Sequence, residues 1–314
     1  MRVKNLESLK IAVFMGGVSQ EREISIKSGN AVFLALKDAG LNVIKVDITS
    51  DNRQKIKEKI KDLKIDLVFI ALHGRFGEDG TLQEILEDEA VAYTGSGPAA
   101  SRLAMDKIAS KKMFLEAHLN VPPFSVVGLS KDDELCNIIE KIGFPLVVKP
   151  ASSGSSIGLS IIQREEDILK ALSLARKSSD SVIIEKFIKG REITVGILDK
   201  QSLPPIEIVP DEQFFNFQAK YKSEGTQYIV PARLDKTLLE QFRHAAFSAH
   251  KCLSCSGFSR VDMLLGAGDN KIYVLEVNTI PGLTERSLLP KAAKYIGLDF
   301  PRLCQEILGL ARGL

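Results

Sequence analysis

Cysteine is scarce in this chain of 314 residues: Cys136, Cys252, Cys255 and Cys304 are the only four. Cys252 and Cys255 have CxxC spacing, but no second cysteine–histidine pair completes a tetrahedral zinc set. No disulfide framework emerges either, so free thiols in a reducing cytoplasm are expected. Long apolar runs are absent, which excludes a membrane span. Met1–Lys10 carries three basic residues, yet the apolar run Ile11–Met15 is too short for a signal-peptide core. An excess of one charge is missing as well: 42 basic against 40 acidic residues leaves +2, no footprint for nucleic acid or an anionic membrane. Two common nucleotide-binding signatures are lacking. Nothing reads GxGxxG after a strand, and the run Gly154–Gly158 lacks the Gly-Lys-Ser/Thr ending of a Walker loop. Internal repeats and low-complexity tracts are also absent.

What is present is ordinary soluble composition, 45% hydrophobic and 26% charged, in a length that suggests two or three domains. Strands and helices alternate, so the class is α/β. Ile11–Met15, Asn42–Val46, Asp66–Ala71 and Val91–Tyr93 read as strands, separated by helices near Glu23–Ala39, Asp51–Leu63 and Thr81–Asp88. This describes a doubly wound parallel-sheet unit over 1–104. A second unit, 105–189, opens with a helix from about Met105 to His118. Strands follow at Leu146–Lys149, Gly158–Ile162 and Val182–Glu185. A third, 190–314, holds strands Glu192–Leu198 and Ile206–Val209, the helix Lys236–His250, a hairpin and the closing helices. The long loop Asp211–Gln227 has the look of a lid.

The hairpin is the most informative segment. Ser259–Leu265 and Lys271–Val277 read as two strands joined by the turn-rich Gly266–Asn270. With a period of two, Arg260 and Asp262 share a face, as do Glu276 and Asn278. Antiparallel pairing would aim Asp262, Glu276 and Asn278 at one point, an oxygen-only set that suits Mg²⁺ (or Mn²⁺) together with substrate phosphates. A solvent-facing hairpin would explain one acid, but the flanking Val261, Met263, Leu264, Val274 and Val277 mark both strands as buried.

Other segments are weaker one by one. Lys149 ends the apolar run Phe144–Val148, where an amine is costly to bury without an anionic partner. The Gly154–Gly158 run after it is either a plain hairpin or a phosphate cover. Gly16–Glu21 and Leu72–Gly74 lie at the carboxyl edge of the parallel sheet, where open α/β sheets bind ligands. Glu21 could merely complement a helix dipole, and His73 could be a satisfied core histidine.

Together these segments resemble the D-alanine–D-alanine ligases of the ATP-grasp superfamily over nearly the whole chain. The resemblance rests on GGVSQEREIS (16–25), ALHGRFGEDGTLQ (71–83), YTGSG (93–97), MDK (105–107), and VKP with GSSIG (148–158). EKF with the later Glu192, AKYKSEGTQY (219–228), RVDML (260–264) and LEVNTIPGLTERSLLP (275–290) complete it. It implies a three-domain ATP-grasp architecture and ligation of two D-alanines through a D-alanyl phosphate, for peptidoglycan synthesis. A cytoplasmic homodimer is expected, acting on small molecules, with no nucleic acid or membrane as partner. Lys107 and Lys149 would contact the ATP phosphates, with Ser155 and Ser156 closing over them. Glu185, Lys186, Ile188 and Glu192 match the adenine and ribose positions, and Asp262, Glu276 and Asn278 the metal ligands. Glu21 would hold the first D-alanine's ammonium, and Arg260 with the Gly282 backbone its carboxylate and the developing oxyanion. Lys220, Ser287 and Leu288 would take the second D-alanine, His73 would line the pocket, and Ser155 and Tyr221 would join Glu21 near the attacking amine.

The chain departs from the family pattern at Ala151-Ser152-Ser153, at Phe214–Gln218, where amides replace acids, and at Glu285-Arg286, beside the second substrate. An ATP-grasp ligase with D-serine or D-lactate as second substrate is the nearer alternative. Tyr221 beside Lys220 disfavours D-lactate. A non-catalytic nucleotide-binding module is the more distant one, and it would be expected to have lost a metal ligand or Lys149.

Overall fold

The computed structural model describes residues 6–128, 135–152, 154, 158–210 and 225–313. The first strand, β1 (Ile11–Gly16), is apolar and buried along its whole length, as a central parallel strand covered on both faces must be. It pairs in parallel with β2 (Val43–Ile48) and β3 (Leu67–Ile70), and β4 (Ala92–Tyr93) extends the order to β2-β1-β3-β4. Helices α1 (Arg22–Asp38), α2 (Arg53–Leu63) and α3 (Thr81–Asp88) connect these strands. The chain leaves β1 through Gly16 and Gly17, both at positive φ. A side chain on Gly16 would run into Asp47, so glycine is required for the tight entry into α1.

The expected helix from Met105 is instead two helices, α4 (Pro98–Met105) and α5 (Lys107–Glu116). Asp106 between them is extended, and its side chain accepts from Ile108 N and Ala109 N. One residue therefore ends one helix and caps the next. Pro98 in the first turn of α4 is the corresponding start signal.

A second sheet follows, antiparallel, in the order β5-β8-β6-β7: β5 (Phe124–Val127), β6 (Leu146–Pro150), β7 (Ser160–Ile162) and β8 (Val182–Lys186). Helices α6 (Leu135–Ile142) and α7 (Ile168–Arg176) cover it. The third sheet contains β9 (Gly190–Leu198), β10 (Gln201–Ser202), β11 (Ile206–Val209), β12 (Gln227–Ile229), β13 (Phe258–Gly266) and β14 (Ile272–Asn278). Its order is β12-β11-β9-β13-β14, with β10 on β9. Helix α8 (Lys236–Cys252) packs on it through Phe242, Ala246 and Ala249. The closing helices are α9 (Leu288–Tyr295) and α10 (Phe300–Gly309). Leu303, Ile307 and Leu308 of α10 join the core of the first sheet. Helix α6, helix α7 and β5 were not anticipated from the sequence.

The β13–β14 pairing is antiparallel, as the alternation predicts. It contains a bulge: Asp262 faces Glu276, but the next residue, Met263, faces Val274. Leu275 is the extra residue.

Candidate active site

The residues of β13 and β14 form one continuous patch. Arg260 sits opposite Asn278 and Asp262 opposite Glu276. Arg260 donates from Nε to Asp262 Oδ1 and from Nη2 to Oδ2, both at 2.8 Å, a fork-to-carboxylate fit. Asn278 Nδ2 donates to Asp262 Oδ2 at 3.0 Å. From the other side Thr194, opposite Asp262 on β9, donates its hydroxyl to Oδ1 at 2.6 Å. Glu276 Oε2 lies 3.1 Å from Lys107 Nζ. Lys107 reaches it because Asp106 starts α5 there and because the Lys107 N–H is fixed to Ala151 O at 2.9 Å.

This patch passes the test for a hard cation on its donor chemistry. Asp262 and Glu276 supply carboxylate oxygens and Asn278 an amide oxygen, all from one sheet face. No group of three or more His, Cys, Asp or Glu placed to hold a metal ion occurs among the described residues, and a two-acid, one-amide set falls below that count. The partners these acids hold here, Arg260 and Lys107, are cations that phosphate oxygens can take over when a metal claims the carboxylates.

The patch opens into a cavity of about 710 Å³. Glu21, His73, Gly154, Tyr228, Arg260, Asp262, Glu276, Asn278, Gly282, Ser287 and Leu288 all contribute to its lining. Glu21 occupies the N-cap position of α1 without making a side-chain cap bond, so its carboxylate is not spent on the helix end. Ser19 fixes this corner by accepting from Glu21 N at 3.2 Å and donating to His73 O at 2.7 Å. Gly74, at φ +71, lets the carboxylate approach, since a Cβ there would lie 2.6 Å from Glu21 Oε2.

His73 is buried, and both ring nitrogens have partners: Nδ1 with Ile280 O and Nε2 with Ser28 Oγ, each at 3.0 Å. Burial pushes its pKa down, but Glu78, with Oε1 at 3.5 Å, and the charge of Glu21 outweigh that and raise it. Ser28 also accepts from Leu283 N at 3.3 Å. The segment around Gly282 is thus tied to α1 through Ser28 and to the end of the first sheet through His73. Its other side is shaped by Thr284, whose N–H donates to Ser287 Oγ at 3.1 Å. The bland alternative for His73, a satisfied buried histidine, and its place in the pocket lining are both true.

A second group adjoins this cavity through the Lys107–Glu276 contact. Glu185, buried on β8, has Oε1 2.6 Å from Lys149 Nζ and Oε2 2.9 Å from Lys111 Nζ. Burial pushes the Glu185 carboxyl up, but the charges of Lys111 and then Lys149 bring it down to about 2. Lys186 turns its ammonium to Gly143 O and Phe144 O at 3.1 and 3.3 Å. Ile188 lies in the short link between β8 and β9, and Glu192 on β9 pairs in register with Ile208 and Leu264. Ser155, Ser156, Lys220 and Tyr221 lie outside the described residues. Thr194, Ser28, Lys111 and Glu78 are not singled out by the sequence: the first three look like ordinary strand or helix residues and Glu78 like an ordinary turn acid until their partners are in place.

An antiparallel sheet carrying Lys149, beside a second antiparallel sheet that carries the Asp262–Glu276–Asn278 face, agrees with the ATP-grasp class of ligases that the sequence resembles. Comparison with known proteins makes this specific. The family model "D-ala D-ala ligase C-terminus" matches residues 113–309 and "D-ala D-ala ligase N-terminus" residues 49–96. The D-alanine–D-alanine ligase of Syntrophotalea carbinolica is 44% identical over 98% of this chain and 98% of its own. That of Geobacter sulfurreducens is 44% identical over 96% and 94%. The crystal structure of D-alanine–D-alanine ligase from Bacillus anthracis complexed with ATP superposes with a TM-score of 0.84. It is 36% identical and covers 96% of this chain and 97% of that one. The VanG D-Ala:D-Ser ligase of Enterococcus faecalis follows at 0.83 and 32% identity, with coverages of 96% and 98%. The chain belongs to the D-alanine–D-alanine ligase family.

Proposed function

We propose that this chain joins two D-alanines into D-alanyl-D-alanine for peptidoglycan precursor synthesis, with cleavage of ATP to ADP and phosphate. The observation that carries this reading is the convergence of Glu21, Arg260 and the Asp262–Glu276–Asn278 face on one cavity. Sequence similarity favours D-alanine over D-serine as the second substrate: the D-alanine ligases above are 36–44% identical, against 32% for the D-Ala:D-Ser enzyme.

The first D-alanine would place its ammonium against Glu21 and its carboxylate against Arg260. Attack of that carboxylate on the γ-phosphorus of ATP gives D-alanyl phosphate and ADP. Like-charge repulsion opposes the approach, and Arg260, Lys107 and Lys149 offset it as fixed cations. A Mg²⁺ or Mn²⁺ held by Asp262, Glu276 and Asn278 would neutralise further phosphate charge when bound. The neutral amine of the second D-alanine then attacks the acyl carbon, and phosphate leaves. By the family pattern, Arg260 and the Gly282 N–H would stabilise the oxyanion of that step as fixed donors. By the same pattern, Glu21 with Ser155 and Tyr221 would accept the amine's proton, and Lys220, Ser287 and Leu288 would hold the second carboxylate. Glu185, Lys186, Ile188 and Glu192 would face the nucleoside, and Ser155 and Ser156 the phosphates.

Units spanning 1–104, 105–189 and 190–314, a homodimeric assembly and a cytoplasmic location complete the proposal. No helix among the described residues is long and apolar enough to cross a membrane. The test is phosphate release from ATP with a panel of D- and L-amino acids and D-lactate. Strict dependence on D-alanine, with the dipeptide as product, is expected. Turnover with D-lactate, D-serine or an L-amino acid in preference to D-alanine would overturn the substrate assignment.

A further inference from the structure

The buried Glu185 carboxylate is held by two ammonium groups, and the two differ in their access to the cavity side. Lys111 lies one turn beyond Lys107 on α5 and is fully enclosed, with no exposed surface. Its Nζ sits 2.9 Å from Glu185 Oε2 and 5.4 Å from the centre of the Phe124 ring. The Glu185 contact is close but off the hydrogen-bond axis, so it acts chiefly through charge. Lys149, on the opposite oxygen at 2.6 Å, retains 7% exposure.

We propose that Lys111 is a positioning residue for nucleotide binding: as the permanent counter-ion of Glu185, it frees Lys149 to leave that carboxylate for the phosphates. The inference rests on the reading of Lys149 as a phosphate contact and adds to it. If Lys149 were the only partner, its departure would leave a buried anion uncompensated, a penalty larger than one new phosphate interaction offsets. With Lys111 behind it, Glu185 stays paired whichever way Lys149 points. Lys111 cannot itself serve the phosphates, because it is sealed beneath Phe124 and Glu185. The titratable groups facing Glu185 are Lys111 from α5 and Lys149 from β6, and Lys107 is near enough to act on Lys111. Burial holds the Lys111 ammonium down to about 8, so at neutral pH the ionised pair persists.

The experiment compares Lys111→Met, Lys149→Met, Glu185→Gln and the double variant Lys111→Met/Glu185→Gln in the full-length protein, by phosphate release at saturating D-alanine. Lys111→Met is expected to raise KM for ATP about tenfold or more with kcat changed less than about threefold. Its KM should also climb from about pH 6 to 8, because Glu185, deserted by Lys149, must then take up a proton. A lysine that serves only packing would leave the pH profile parallel to wild type, and that result overturns the proposal, as does an unchanged KM. In the Glu185→Gln background the Lys111 change should add nothing. This pair also decides the matter if Lys111→Met alone does not fold: equal KM values support the proposal, and a further rise sinks it. Lys149→Met separates the two readings. An unchanged KM for ATP there refutes Lys149 as a phosphate contact, whereas a raised KM alongside a normal Lys111→Met refutes only the role of Lys111.

Discussion

Thr194 and Asp262 face each other across adjacent strands, and the threonine hydroxyl donates to Asp262 Oδ1 at 2.6 Å. Arg260 and Asn278 complete the belt around this carboxylate. Thr194→Val keeps the shape and removes the donor, so Asp262 should lose orientation while the fold survives. The expected outcome is a metal requirement shifted upward by about 10–100-fold, with near-normal turnover restored at high Mg²⁺. Titrating phosphate release against Mg²⁺ checks this, and an unshifted curve would contradict it.

Glu276→Gln is nearly isosteric but removes the charge opposite Lys107. Turnover should fall on the order of a hundredfold or more with little change in thermal midpoint. Wild-type rates at low Mg²⁺ in this variant would show that the metal lies elsewhere.

Ser28 joins residues far apart in the chain, accepting from Leu283 N while meeting His73 Nε2. Ser28→Ala leaves that buried N–H without its acceptor, which should cost about 1–3 kcal/mol in urea unfolding. Because the bond steadies the segment bearing Gly282, KM for D-alanine should rise as well. Loss of stability with unchanged D-alanine kinetics would limit Ser28 to a structural part.

Below about pH 8, three buried groups shape the pH dependence of stability. Burial depresses His250 from 6.5 to about 4. The unfolded chain therefore binds its proton first, and stability should fall as pH drops from 6.5 toward 4, by up to about 3 kcal/mol. Glu185, depressed from 4.5 to about 2, contributes stability that is present above 4.5 and lost as pH falls through its folded value. His73 is raised, so its contribution is complete below 6.5 and declines as pH climbs past that. Urea midpoints across pH should peak near neutrality, and His250→Gln should flatten only the limb between 6.5 and 4.

Much of the site was legible because its signals are local. Alternation in two short strands places Asp262, Glu276 and Asn278 on one face, and a lysine ending a buried strand announces Lys149. The Asp106-Lys107 step is visible in the sequence as a motif, but not as a break between two helices, since no local signal marks Asp106 as both the end of one helix and the cap of the next. Lys111 was invisible because a lysine in a helix is usually solvated, and its burial depends on β5 and β8 arriving from later in the chain. Ser28 and Thr194 are small hydroxyls whose partners lie 255 and 68 residues away, beyond any periodicity.

The bulge at Leu275 changes what a single residue of chain length means here. Val274 and Val277 are both buried although three residues separate them, an interval that unbroken alternation forbids. Counting by twos from Val274 would send Glu276 and Asn278 into the core. The spare residue reverses that parity and delivers both to the cavity. Strand β14 therefore delivers both ligand positions only in its bulged form: straightening it, with Leu275 taken into the ladder opposite Asp262, would turn two ligand positions inward while leaving the composition of the site unaltered.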